Sequence, residues 1–114
     1  MDLSSAPVWS PAEAFPEGVN VEFVRQVGRT HVQMRVFERG VGETLSCGTG
    51  TVAVAAVMAR RTGALGPCRG DVHGGRSTVE LAPSQNGEVL ASLTGPAVLV
   101  AQGEVHIPDE AVSR

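Results

Sequence analysis

Lysine is absent from the 114 residues, and all nine basic side chains are arginine. No Schiff base with pyridoxal phosphate or a carbonyl substrate can form on a lysine of this chain, so any amino-acid chemistry must run without that cofactor. Cysteine is scarce as well. Cys47 and Cys68 are the only two, too few for a disulfide scaffold, and in a reducing compartment such residues pack or react. Long apolar runs are missing: the longest, Val52 to Ala59, falls far short of the ~20 residues that span a bilayer. The start, MDLSSAPVW, lacks the basic residues and apolar core of a secretory leader, which predicts a cytoplasmic protein. A formal net charge of -3 gives no reason to propose nucleic acid or an anionic membrane as partner.

What is present is a 42% hydrophobic, 18% charged chain, globular rather than disordered in composition and long enough for one domain with an ordinary core. No repeat or low-complexity tract interrupts it. Residues 1–16 hold three prolines with Trp9 and Phe15 as anchors, which predicts a linker or entering arm. A folded unit is expected over 17–107 and a tail over 108–114. Val19, Val21 and Phe23 alternate with Asn20 and Glu22; after Gly28-Arg29 the alternation resumes as Val32, Met34 and Val36 against His31, Gln33 and Arg35. The spacing predicts a β-hairpin ending at Glu38 and Arg39.

A glycine-rich loop then runs into Val52–Ala59, an apolar block closed by Arg60, Arg61 and Gly63. Basic residues and glycine suit a helix C-terminus. The block is apolar nearly all round (Val52, Val54, Ala55, Val57, Met58), which predicts burial on most sides. Short strands are expected at Ser77–Leu81, Val89–Leu93, Ala97–Ala101 and Glu104–Ile107, punctuated by Gly74-Gly75, Asn86-Gly87 and Gly95-Pro96. The fold class that follows is α+β: a mostly antiparallel, curled sheet, a partial barrel, wrapped around one central buried helix.

Cys47 falls at the expected N-cap of that helix, and Gly48, Thr49 and Gly50 offer backbone N–H groups with little side chain in the way. A thiol at the positive end of a helix dipole is favoured as thiolate, which serves as nucleophile, metal ligand or base. No Cys or His lies near Cys47 at ligand spacing, so metal is disfavoured. A nucleophile wants a histidine, whereas His31, His73 and His106 sit in alternating strands or turns where solvated side chains are expected. A buried inert cysteine would not account for Glu38, Arg39, Glu43 and three small residues crowded onto one turn.

Three stretches resemble diaminopimelate epimerase: Asn20 with Val21 and Phe23, ERGVGETLSCGTGTVA from Glu38 to Ala53, and TGPAVLVAQGEV from Thr94 to Val105. The likeness is to the C-terminal half of that family. It implies cofactor-independent interconversion of LL- and meso-diaminopimelate, on the route to lysine and peptidoglycan, by two thiols acting as base and acid. Cys47 matches the second of the catalytic cysteines. Gly48 and Thr49 match donors to the substrate carboxylate, Asn20, Glu38 and Arg39 match substrate-binding residues, and Glu38 also matches a position supporting proton transfer. Related proline racemase-type enzymes share the fold but not the ERG-x-GET spelling, and a non-catalytic module binding an anion or amino acid is a rival from another class.

Two-base inversion needs thiols on opposite faces of one carbon, and Cys68 lies beyond a helix of about 14 residues, roughly 20 Å away at 1.5 Å per residue. In the family the partner cysteine belongs to an N-terminal half that these residues do not match. The expectation is a piece of the enzyme with little or no activity alone, a small amino acid and the missing half as its partners, and Glu104–Ile107 free to pair with a second copy in a homodimer or swapped assembly.

Overall fold

A computed structural model describes residues 1–112; the last two positions of the expected tail lie outside the described residues. After one 3-10 turn at Ala12–Ala14 come β1 (Val21–Gly28), β2 (His31–Glu38), β3 (Gly42–Thr44), α1 (Gly48–Thr62), β4 (Pro67–Val72), β5 (Gly75–Pro83), β6 (Val89–Thr94) and a single turn, α2 (Asp109–Val112). The strands form one curled, open sheet in the order β1-β2-β4-β5-β6, with β3 also on β2. The class is α+β with one principal helix, as the patterning implies.

β1 and β2 form the expected hairpin, with a register irregularity between Gln26 and Gly28. The far edge of β2 is divided: His31 to Gln33 pair in parallel with Arg69 to Asp71 of β4, and Val36 to Glu38 pair antiparallel with β3. A parallel pair cannot be closed by a tight turn, so the chain between β2 and β4 must cross over, and α1 is that crossover. The arrangement carries the start of α1 to the Glu38 end of β2, where β3 lies.

The core lies between α1 and one face of the sheet: Val32 and Met34 of β2, Val54, Ala55 and Met58 of α1, Cys68 of β4, and Val79 and Leu81 of β5. Each valine, leucine or methionine side chain among these, fully removed from water, stabilises the fold by about 1.5–3 kcal/mol before entropy is charged against it. Gly70 of β4 lies within this layer, close to Thr51 of α1 and Met34 of β2.

The opposite face is held by polar contacts. Arg35 donates from Nε and Nη2 to Glu43 at 2.6 and 2.8 Å, and from Nη1 to the Met1 carbonyl at 2.7 Å. Leu3 is buried, so the arm is tied down near its start. His31 Nε2 meets Asp71 Oδ2 at 2.6 Å, and Arg76 donates to both oxygens of Asp71. His31, expected to be solvated, is therefore a half-buried partner of a carboxylate, brought within reach by the parallel β2–β4 register.

Three expectations are corrected. Helix α1 buries one side only: Gly50, Thr51, Val54, Ala55 and Met58 are buried, while Ala53, Ala56 and Val57 are exposed, Val57 at 58%. Apolar composition on every side does not supply a second layer to cover it. Ala97–Ala101 and Glu104–Ile107 form no strand; they have β-forming side chains but no ladder partner, and Leu99 and Val100 stand 82% and 90% exposed. Conversely, β4 is a central strand although PCRGDV carries little apolar alternation, because its neighbours β2 and β5 satisfy its backbone on both edges. Among the described residues no helix is long and apolar enough to cross a membrane.

The β2–β4 seam makes the fold acid-sensitive. Arg76 first and His31 second hold the Asp71 carboxyl at about 2, against an ordinary 3.8. A depressed carboxyl contributes stability above its unfolded value and loses it as pH falls through the folded one. Thermal unfolding of Asp71→Asn and wild type should therefore differ most above pH 3.8 and converge toward about 2. A gap that stayed constant over that interval would rule out Asp71 as the cause.

Candidate functional site

The N-terminus of α1 is built as a cap without a capping side chain. Cys47 is extended (φ -137°, ψ 110°), and α1 begins at Gly48. The Cys47 carbonyl accepts from the Thr51 N–H at 2.9 Å and the Thr51 hydroxyl at 2.8 Å, which fixes the first turn. The N–H groups of Gly48, Thr49 and Gly50 precede the first intrahelical bond and have no partner within the helix, and Gly48 and Thr49 are solvent-exposed. The Cys47 side chain is only 7% exposed, with Sγ 3.6 Å from Thr49 Oγ1.

The loop before Cys47 is held by the β4–β5 turn: the Gly74 N–H donates to the Leu45 carbonyl at 2.8 Å, and a Cβ on Gly74 would lie 3.0 Å from that oxygen. Beside the helix start opens a cleft of about 330 Å³ whose lining includes Ser46, Gly48, Thr51, Arg76, Ser77 and Leu93. Glycine at 48 is a matter of close approach, since an added Cβ would meet Leu93 at 3.2 Å.

Glu38 ends β2 opposite Gly42, and its carbonyl accepts from the Val41 N–H at 3.2 Å across a turn that Gly40 takes at φ 73°. Arg39, in that turn, is exposed; its N–H donates to Asn20 Oδ1 at 3.0 Å, joining the segment before β1 to the end of β2. Asn20, Glu38 and Arg39 thus gather at one corner. Glu43 does not join them: it pairs with Phe37 in register and is occupied by Arg35, with His73 Nε2 at 3.6 Å, on the opposite face. Adjacency in the loop sequence concealed this, because neighbouring strand residues point to opposite sides.

Glu22 is the residue that motif reading passed over. It stands opposite Val36, and directly paired residues share a face, so Glu22 points to the α1 side with Glu38 diagonally beyond. A Cβ on Gly50 would overlap its carboxyl, and both carboxyl oxygens are shut off from solvent without a hydrogen-bond partner. Burial first, and the neighbouring Glu38 second, push its pKa above the ordinary 4.5. The available signal was its place on the Asn20 side of the alternation, together with a glycine inside a helical block.

Cys68 is elsewhere. It pairs with Val79 inside the core and lines a small cavity with Ala55, Met58, Ala59 and Thr62, and burial raises its pKa. Met58 is ~16 Å along the helix from Cys47 at ~1.5 Å per residue. The two thiols do not face one point. Among the described residues no three His, Cys, Asp or Glu side chains are grouped to hold a metal ion.

A carboxyl raised by burial contributes stability below its unfolded value and loses it as pH rises through the folded one. Glu22→Gln should therefore gain thermal midpoint relative to wild type as pH rises above the ordinary glutamate value of 4.5, where the unfolded chain ionises and the folded carboxyl resists. A difference that does not change with pH would show that Glu22 is not an unpaired acid in the fold.

The family model for diaminopimelate epimerase matches residues 2–100. A diaminopimelate epimerase of Streptomyces coelicolor is 50% identical over 110 residues, covering 90% of this chain and 37% of the relative. One of Paraburkholderia xenovorans is 43% identical over 107 residues, with 94% and 37% covered, and one of Rhodococcus opacus is 47% identical over 106 residues, with 92% and 35% covered. The chain thus spans little more than a third of the length of these curated relatives. A match reaching across nearly the whole chain, around a loop whose cysteine caps the helix, places this protein in the diaminopimelate epimerase family.

Proposed function

We propose that this chain supplies one side of the active site of a cofactor-independent epimerase that interconverts LL- and meso-diaminopimelate in the cytoplasm, in the synthesis of lysine and peptidoglycan precursors. The observation that carries the reading is the cap of α1: a cysteine at the N-cap, next to exposed N–H groups at Gly48 and Thr49. The substrate carboxylate sits on those N–H groups, and the electron density that moves onto it as the α-proton leaves is stabilised there. Asn20 and Arg39, already joined by a hydrogen bond, and Glu38 beside them hold the remaining polar groups of the amino acid.

In one direction the Cys47 thiolate takes the α-proton and becomes a thiol, leaving the electron pair on the carbon. A second acid on the opposite face then delivers a proton to that carbon, and the configuration inverts. In the other direction the roles exchange, so both groups must be able to hold and release a proton. Cys68 is buried in the core, so the second acid comes from outside these 114 residues. The exposed segment carrying Val98, Leu99, Val100, Val105 and Ile107, with the uncovered side of α1, is where the rest of the enzyme packs. A site of this kind needs no metal or organic cofactor.

The test is deuterium incorporation at the α-carbon of diaminopimelate. The chain alone should show none. Mixed with a separately produced N-terminal portion of a family member it should show exchange and epimerisation, and Cys47→Ser should lower the rate about 10²–10⁴-fold, the usual worth of a positioned acid or base. Binding of diaminopimelate without exchange in the mixture would favour a non-catalytic module instead.

A further inference from the structure

β1 meets α1 without joining the core beneath it. Residues directly paired across the hairpin share a face, so Glu22, Val24 and Gln26, opposite Val36, Met34 and Val32, are the β1 residues turned toward α1. Yet the core that α1 builds draws on β2, β4 and β5 and, among the described residues, holds none from β1. Val24 stands 43% exposed, and Gln26 is exposed too. What closes against the helix from β1 is the Glu22 carboxyl, whose oxygens are both shut off from solvent.

That contact depends on a glycine. Gly50 does not have a positive φ that would require one, and glycine inside a helix is less favourable than alanine. What position 50 requires is room, because a Cβ there would overlap the Glu22 carboxyl. The carboxyl fills the space into which the third side chain of α1 would project. Each partner of this interlock is next to a different part of the site. Asn20, two residues before Glu22, accepts the Arg39 N–H at 3.0 Å, and Gly48 and Thr49, with their exposed backbone, immediately precede Gly50.

We propose that Glu22 is a positioning residue: seated over Gly50, its carboxyl sets the distance between the cap of α1 and the Asn20–Arg39 corner, and so the span between the two ends of the amino acid that the site takes. The inference rests on the proposed reading of those two places as substrate-binding. Hydrophobic packing fixes α1 on β2, β4 and β5, and the interlock fixes it on β1. The role is one of shape, so glutamine at position 22 preserves it and alanine does not.

Thermal unfolding of the 114-residue chain tests the interlock. Gly50→Ala should lower the midpoint, against helix propensity, because the added Cβ must push the carboxyl out; in the Glu22→Ala background the same change should raise it. A Gly50→Ala chain that fails to fold counts as a lowered midpoint, and recovery of the fold in the double variant then supports the interlock. An effect of the same sign in both backgrounds overturns it. The positioning role is read from kinetics of the chain mixed with an N-terminal portion of a family member: Glu22→Ala should raise KM for diaminopimelate about tenfold with kcat nearly unchanged, and Glu22→Gln should keep the parent KM. An unchanged KM in Glu22→Ala, or equal losses in Glu22→Ala and Glu22→Gln, overturns that role. A parent mixture that exchanges no deuterium removes the epimerase reading and with it the substrate span, while the unfolding comparison still judges the Glu22–Gly50 contact without turnover.

Discussion

The packing of α1 across β2, β4 and β5 is the constraint on which the rest depends. β2 and β4 run parallel, a geometry that obliges the chain to cross from one end of the sheet to the other. α1 makes that crossing while burying Val54, Ala55 and Met58 against Val32, Met34, Val79 and Leu81. Once those contacts are made, the position of Cys47 is no longer free. The helix must begin toward the end of the sheet where β2 finishes, and there Gly50 lies against Glu22 of β1. The thiol is therefore placed by hydrophobic burial several turns away.

The two faces of the sheet divide the work. The α1 face is apolar at its centre and acidic at the β1–β2 corner, where Glu22 and Glu38 lie. The other face carries charges neutralised in place: Arg35 with Glu43, and Asp71 between His31 and Arg76. Those pairs clamp the arm and the parallel seam, and they keep their charges apart from the thiol. The uncompensated carboxyls are on the side of the helix cap.

Several features were legible along the chain because they depend on local geometry. The β1–β2 hairpin followed from alternation, the end of α1 from Arg60, Arg61 and Gly63, whose φ is 74°, and the beginning of α1 from small residues after Cys47. Other features were not. The run around Val98 to Val100 has strand-forming side chains but finds no edge among the described residues, and PCRGDV has poor alternation but lies between two strands. In both cases the deciding quantity is backbone hydrogen bonding to a partner distant in sequence, which local propensity does not contain. Glu43 was grouped with Glu38 by proximity in the loop, and the pleat separated them.

By itself the sequence determined the cap chemistry and the periods: a cysteine followed by three small residues ahead of an apolar block, two alternating runs joined at Gly28, and no lysine to support another route. These are properties of residues and their near neighbours. Only the tertiary structure decided which face of β1 meets the helix, that Glu22 rather than Glu43 lies with Glu38, that Gly50 is needed for room, and that Cys68 belongs to the core. Alternation gives two faces without saying which one the helix will cover, and that choice is made by strand register, a relation between residues far apart in the chain.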